Sequence, residues 1–173
     1  MNRKSITLIG MPGAGKSTIG KILAGMIGFD FVDLDILIKE RSGRSHADIL
    51  EKDGEAELLR LEEKYTLELD FYPQKGGIIF SPGGSIIYSP AAMEKIKNES
   101  RIIYLELPIA EVQKRLGAEM DKRGIVGLKE KGIERLFRER VPVYEEAAHY
   151  KIEIQNLQPE EAAQKINEIL EHE

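Results

Sequence analysis

The chain has 173 residues, 42% of them hydrophobic, enough for one well-buried core and too few for two ordinary domains. Its net charge of −5, with basic residues dispersed among acidic ones, argues against a broad nucleic-acid footprint and favours a small-molecule partner. Cysteine is absent, which excludes disulfides, thiolate metal sites and a cysteine nucleophile; the N-terminus enters a strand-like segment without an apolar leader and no apolar run approaches membrane-spanning length, so a cytoplasmic protein is expected.

Along the chain, short β-branched runs alternate with longer amphipathic ones, the pattern of a parallel sheet covered by helices. A strand is expected at Ser5–Ile9, followed by Gly10-Met11-Pro12-Gly13-Ala14-Gly15-Lys16-Ser17-Thr18 and a helical pattern over Thr18–Ile27. Glycines at this spacing let backbone N–H groups curl round phosphate oxygens, and the loop feeds a helix whose N-terminal dipole favours negative charge. Lys16 then reaches the β- and γ-phosphates and the Ser17 hydroxyl can ligate Mg²⁺. The chain is therefore expected to use a nucleoside triphosphate, held by Gly13, Ala14, Gly15, Lys16, Ser17 and Thr18.

A second strand at Phe29–Leu34 brings Asp33-Leu34-Asp35 to the carboxyl edge, where open parallel sheets face their ligands. Strand alternation puts Asp33 and Asp35 on one face, one to hold Mg²⁺ and one to accept a proton from an attacking hydroxyl; alternatively, Asp35 only caps the helix that follows. Helical patterns over Ser45–Lys52 and Glu55–Leu69 are punctuated by Asp53-Gly54. The third strand, Gly77–Phe80, ends in Ser81-Pro82-Gly83-Gly84-Ser85, whose glycines either let a ligand approach the backbone or form a simple turn.

A helix is expected at Pro90–Asn98, a strand at Arg101–Leu107 and a helix at Ile109–Leu116. The stretch Gly117–Gly132 is charged and has little apolar periodicity; beside a phosphate loop it reads as a mobile lid that excludes water, and seen alone as a surface loop. A strand at Tyr150–Ile154 and a helix at Glu160–Glu171 follow. Three arginines stand out: Arg115, placed to lie against an adenine; Arg123, on the lid, able to neutralise charge on a transferring phosphoryl group; and Arg140, before Val141-Pro142-Val143-Tyr144. Each can equally be a solvated surface charge.

Taken together, these residues resemble the shikimate kinase family of small P-loop kinases over nearly the whole chain. The resemblance rests on Gly10–Thr18, Asp33-Leu34-Asp35, Gly54-Glu55-Ala56-Glu57 with Glu62 following, Gly83-Gly84, Arg123, and Arg140-Val141-Pro142-Val143-Tyr144. It implies an α/β P-loop NTPase fold with a five-stranded parallel sheet, one kinase domain over residues 1–173 and a lid at about 117–132. It further implies ATP and Mg²⁺, the metal on Ser17 and Asp33, the acceptor hydroxyl on Asp35, and a reaction turning shikimate into shikimate 3-phosphate. A monomer is expected, since no long exposed apolar face is evident.

The acceptor side departs from the family pattern. After Gly-Glu-x-x the family shows Phe-Arg, whose guanidinium grips the substrate carboxylate; this chain has Leu58-Leu59, then Arg60, which a helix turns about 100° away. The triple glycine is Pro82-Gly83-Gly84, the lid Arg-Pro is Arg123-Gly124, and His46 replaces a residue that is commonly aliphatic. His46 is either a hydrogen-bonding member of an altered pocket or an exposed helix residue. Arg140 matches the family's second carboxylate-binding arginine, so the expected substrate-binding set is Asp35, His46, Gly83, Gly84 and Arg140. Another hydroxy acid, homoserine or a polyol are alternative acceptors. A nucleotide-binding regulatory module without transfer activity and a nucleoside monophosphate kinase are readings of other kinds; the second ranks lower because the acceptor region lacks an arginine array for another phosphate.

Overall fold

The computed structural model describes residues 4–73 and 76–172; the residues before Lys4, part of the stretch read for a leader, lie outside the described residues. Strands β1 (Ser5–Ile9), β2 (Asp30–Asp33), β3 (Ile78–Ser81), β4 (Ser100–Glu106) and β5 (Tyr150–Glu153) form a parallel sheet in the order β2-β3-β1-β4-β5. β1 sits in the middle with every residue buried, which is why Ile6, Leu8 and Ile9 are aliphatic on both faces of the strand. Each such side chain stabilises the fold by about 1.5–3 kcal/mol relative to exposure.

Around the sheet lie α1 (Lys16–Ile27), α2 (Leu34–Ser42), α3 (His46–Lys52), α4 (Glu55–Leu67), α5 (Pro90–Glu99), α6 (Ile109–Leu116), α7 (Leu128–Ala147) and α8 (Pro159–Glu171). The chain leaves β1 for the edge strand β2, returns through β3, then crosses to β4 on the other side of β1. Strand order thus reverses about β1, and ligands of open α/β sheets bind where this happens, beyond the carboxyl ends of the strands. The phosphate loop after β1 opens at that reversal. Helices α2, α3 and α4 pack on one another, with α2 also against β2.

Two expectations need correction. The second strand stops at Asp33 rather than Leu34, because the Asp33 carboxylate accepts hydrogen bonds from the backbone N–H groups of Asp35 and Ile36 and thereby caps α2. Asp33, not Asp35, is the N-cap, and Asp35 lies in the first turn of a helix rather than on a strand face. The expected irregular stretch Gly117–Gly132 instead contains a 3₁₀ helix, Gly117–Lys122, and the start of α7 at Leu128. Helix α7 breaks at Gly132 (φ 73°, ψ 162°) and carries Pro142, interruptions that conceal its inward face of Ile133, Leu136, Arg140 and Tyr144. Among the described residues no helix is long and apolar enough to cross a membrane.

Candidate active site

A cavity of about 350 Å³ opens at the carboxyl edge of the sheet. The phosphate loop, the end of β2, the turn after β3, the first turn of α3, residues 123–126 and α7 all contribute to its wall. Of the residues singled out in the sequence, Gly13, Gly15, Lys16, Ser17, Thr18, Asp33, Asp35, His46, Gly83, Gly84, Arg115, Arg123 and Arg140 line it. Ala14 does not: its side chain is fully buried in the core and its N–H is bonded to Met11 O at 3.1 Å.

At the phosphate end, Gly15 takes a left-handed conformation (φ 81°) and forms the N-cap of α1, so the helix N-terminus opens onto the cavity. Lys16 Nζ folds back over the loop and donates to Gly10 O at 2.9 Å and Met11 O at 3.1 Å. Desolvation lowers its pKa to about 8 against the opposing pull of Asp35, and Arg140 and Arg123 lower it further. Arg115 is held by Glu111 at 3.1 Å on the rim.

Asp33 divides its two oxygens between two tasks. Oδ1 caps α2, while Oδ2 accepts the Ser17 hydroxyl at 2.5 Å. Two hard oxygen donors therefore stand side by side at the mouth of the phosphate loop. Among the described residues no cluster of three or more His, Asp or Glu forms an all-protein metal cage. A Ser–Asp pair fits Mg²⁺, which keeps waters and takes its remaining ligands from substrate phosphates.

The acceptor end is assembled from more distant pieces. The Asp35 side chain is 57% exposed, yet the protein wall around it partly desolvates the carboxylate and raises its pKa, opposed by His46, whose Nδ1 lies 3.5 Å from Asp35 Oδ1. The His46 side chain is 9% exposed, which rules out its reading as an exposed helix residue. Arg140 is 1% exposed; its Nε donates to Tyr88 OH at 3.1 Å and its Nη2 to Val126 O at 2.8 Å, with the guanidinium 5.2 Å from the Tyr88 ring. These hydrogen-bond partners are neutral, so the buried cation is suited to an anionic ligand.

Glu62 and Ser85 were not anticipated as part of the site. Glu62 is buried, accepts the Ser85 hydroxyl on both oxygens (2.8 and 2.7 Å), and is raised to a pKa of about 7, chiefly by burial. One sequence signal was available: Glu62 shares a stripe with Leu58, Leu61 and Tyr65, so a carboxylate occupies the apolar face of α4. The Pro-Gly-Gly turn exists to make room for these groups. A Cβ on Gly83 would lie 2.6 Å from Glu62 Oε1, and one on Gly84 would lie 2.9 Å from Arg140 Nη1. Arg60 does not replace the missing family arginine, since it points outward and pairs with Glu57 at 2.7 Å, while Leu59 packs against the core.

A family model described as shikimate kinase matches residues 12–171. Shikimate kinases from Thermobifida fusca and Enterococcus faecalis are 34% and 36% identical to this chain over 95% and 97% of its length, and the matches span 94% and 97% of those proteins. A shikimate kinase from Acinetobacter baumannii, solved in complex with shikimate, superposes with a TM-score of 0.87 at 29% identity, covering 98% of this chain and 93% of that one. With the match running from the phosphate loop into α8, the chain belongs to the shikimate kinase family, whose members are ATP-dependent small-molecule kinases.

Proposed function

We propose that this protein transfers the γ-phosphoryl group of ATP to a hydroxyl of shikimate, giving shikimate 3-phosphate and ADP. The observation that carries this reading is the placement of Asp35 on the wall of the same cavity as the phosphate loop, a wall that also carries a buried arginine with neutral hydrogen-bond partners. Asp35 orients the attacking hydroxyl and accepts its proton. Lys16 and Arg123 offset negative charge on the phosphates, and Arg140 takes the acceptor carboxylate. Ser17 and Asp33 would hold Mg²⁺, which would supply positive charge to neutralise the charge developing on the phosphates. Catalysis in such a site is positioning and electrostatics, and the lid segment excludes competing water.

The reading extends to a single kinase domain acting as a cytoplasmic monomer. Its exposed large apolar side chains, including Met26, Ile36, Leu67 and Val143, lie on different helices rather than along one stripe; sedimentation at one protomer mass checks this. The primary test is a coupled ADP-release assay with Mg-ATP on shikimate, homoserine and cyclic polyols. Shikimate-dependent ADP formation is expected. Turnover of another acceptor with none on shikimate overturns the assigned substrate, and nucleotide binding without any transfer overturns the kinase reading.

A further inference from the structure

We propose that His46 binds a second hydroxyl of the acceptor, next to the one engaged by Asp35, so that the site selects acceptors with two adjacent hydroxyl groups. This rests on the kinase reading above. Ser45 fixes the imidazole's origin: its hydroxyl accepts the Asp48 N–H at 3.1 Å and its own N–H donates back to Asp48 Oδ2 at 3.2 Å, a reciprocal cap that starts α3 at His46. The ring lines the cavity, and its side chain is nine-tenths buried. Nδ1 faces Asp35 at 3.5 Å, whereas Nε2 is buried without a hydrogen-bond partner.

Most buried polar atoms in native folds are satisfied, so an unpartnered nitrogen on a ring that lines the cavity, closed off from solvent in this conformation, points to a partner supplied when a ligand enters. Tautomer chemistry identifies that partner. A carboxylate beside Nδ1 keeps the proton of a neutral imidazole on that nitrogen, leaving Nε2 as an acceptor, and an acceptor needs an O–H or N–H donor. Because Asp35 engages one hydroxyl, a neighbouring hydroxyl on the same molecule is the donor within reach.

The lid segment adds a second constraint. Gly124 has φ +62°, and a Cβ there would lie 2.7 Å from Ala47 N, 2.8 Å from His46 C and 3.0 Å from His46 Cβ. The lid backbone thus rests directly on the first turn of α3, a contact available only to glycine. That contact holds the imidazole against the acceptor end of the cavity.

The test compares shikimate with 4-deoxyshikimate, which lacks the hydroxyl adjacent to the phosphorylated one, on wild type, His46→Leu and His46→Gln. Wild type is expected to prefer shikimate by about tenfold or more in kcat/KM. His46→Leu should lose most of this preference, because the KM for shikimate rises more than that for the deoxy analogue, at unchanged KM for ATP; the effect of losing the imidazole beside Asp35 falls on both acceptors alike and cancels in their ratio. His46→Gln, which retains an acceptor oxygen, should recover part of it. A preference that survives in His46→Leu, or is absent from wild type while shikimate is still turned over, overturns the His46 assignment alone. A wild-type enzyme inactive on shikimate overturns both this assignment and the proposed substrate. Thermal melts of both variants separate a folding defect from a lost contact, since a folding defect lowers activity on the two acceptors equally.

Discussion

The phosphate end of the cavity comes from one contiguous stretch, Gly10–Thr18, joined by Asp33, whereas the acceptor end gathers side chains from α2, α3, α4, the turn after β3, residues 123–126 and α7. The first is largely backbone: a left-handed glycine, a helix N-terminus and one lysine folded over both. The path of such a loop is set by its backbone, where Gly10, Gly13 and Gly15 take positive φ angles that other residues rarely adopt. The second is held by side-chain contacts spread along the sequence, such as Arg140 with Val126 and Tyr88, Glu62 with Ser85, and His46 with Asp35. One of these can be exchanged while the others stand, and this chain's departures from its family, Leu59, Pro82, Gly124 and His46, fall in this half.

The largest test of this division is Lys16→Met. It removes the charge at the phosphates and is expected to lower kcat by at least about 10³-fold. Binding of shikimate, followed by calorimetry, should stay within about twofold of wild type. Asp35→Asn should reduce kcat by about 10² to 10³-fold, within the range of a general base, with the KM for ATP unchanged. If Lys16→Met abolishes acceptor binding as fully as phosphoryl transfer, the two ends are one cooperative unit and the division fails.

The same division decides what was legible in the sequence. The phosphate loop was readable because its chemistry depends on adjacent residues, and the sheet because its strands are short β-branched runs. The Asp33/Asp35 geometry was misread: two residues apart suggests strand alternation, yet an Asp at a strand end can terminate the strand by capping the next helix, as Asp33 does. The inward faces of α4 and α7 were harder. Glu62 and Arg140 occupy positions that hydrophobic periodicity reserves for apolar residues; Arg140 entered the expected set through the family resemblance, whereas Glu62 did not, and the structure puts both on the wall of one cavity.

Glu62 links the acceptor end to stability. Its pKa is raised from 4.5 to about 7, so the folded state keeps a proton that the unfolded chain releases. Wild type should therefore lose stability as pH climbs from about 4.5 to about 7 and lose no more on this account above that, the change being on the order of 3 kcal/mol. Glu62→Gln should remove this slope, so that urea midpoints at pH 5 and pH 8 differ less than in wild type. An unchanged slope would show that Glu62 is ionised at low pH in the fold. Next in size is Arg140→Lys, which loses the planar fork that serves Tyr88 OH and Val126 O together. The KM for shikimate should rise about ten- to thirtyfold, from loss of a charge-assisted contact of roughly 1.5–2 kcal/mol, with the KM for ATP unaffected.

The smallest expected effect sharpens the comparison most. Leu59→Arg restores the guanidinium that the family places after Phe, and residue 59 lies three positions before Glu62 on α4, so the two side chains are neighbours on the helix surface. If the acceptor end is modular, the new arginine adds a carboxylate contact: the KM for shikimate falls by up to about tenfold, and the nearby cation pulls the Glu62 pKa down, shrinking the pH slope of stability. If His46 and Leu59 are mutually adjusted, the arginine gains nothing in the presence of His46 and helps only together with His46→Ile. A double-mutant cycle on the KM for shikimate distinguishes these outcomes, because independent modules give additive free energies and adjusted neighbours do not. Additivity would mean that the acceptor end recognises its substrate contact by contact, as its dispersed construction suggests. A coupling of about 1 kcal/mol or more would mean that the imidazole and the missing guanidinium form one solution to the same recognition problem.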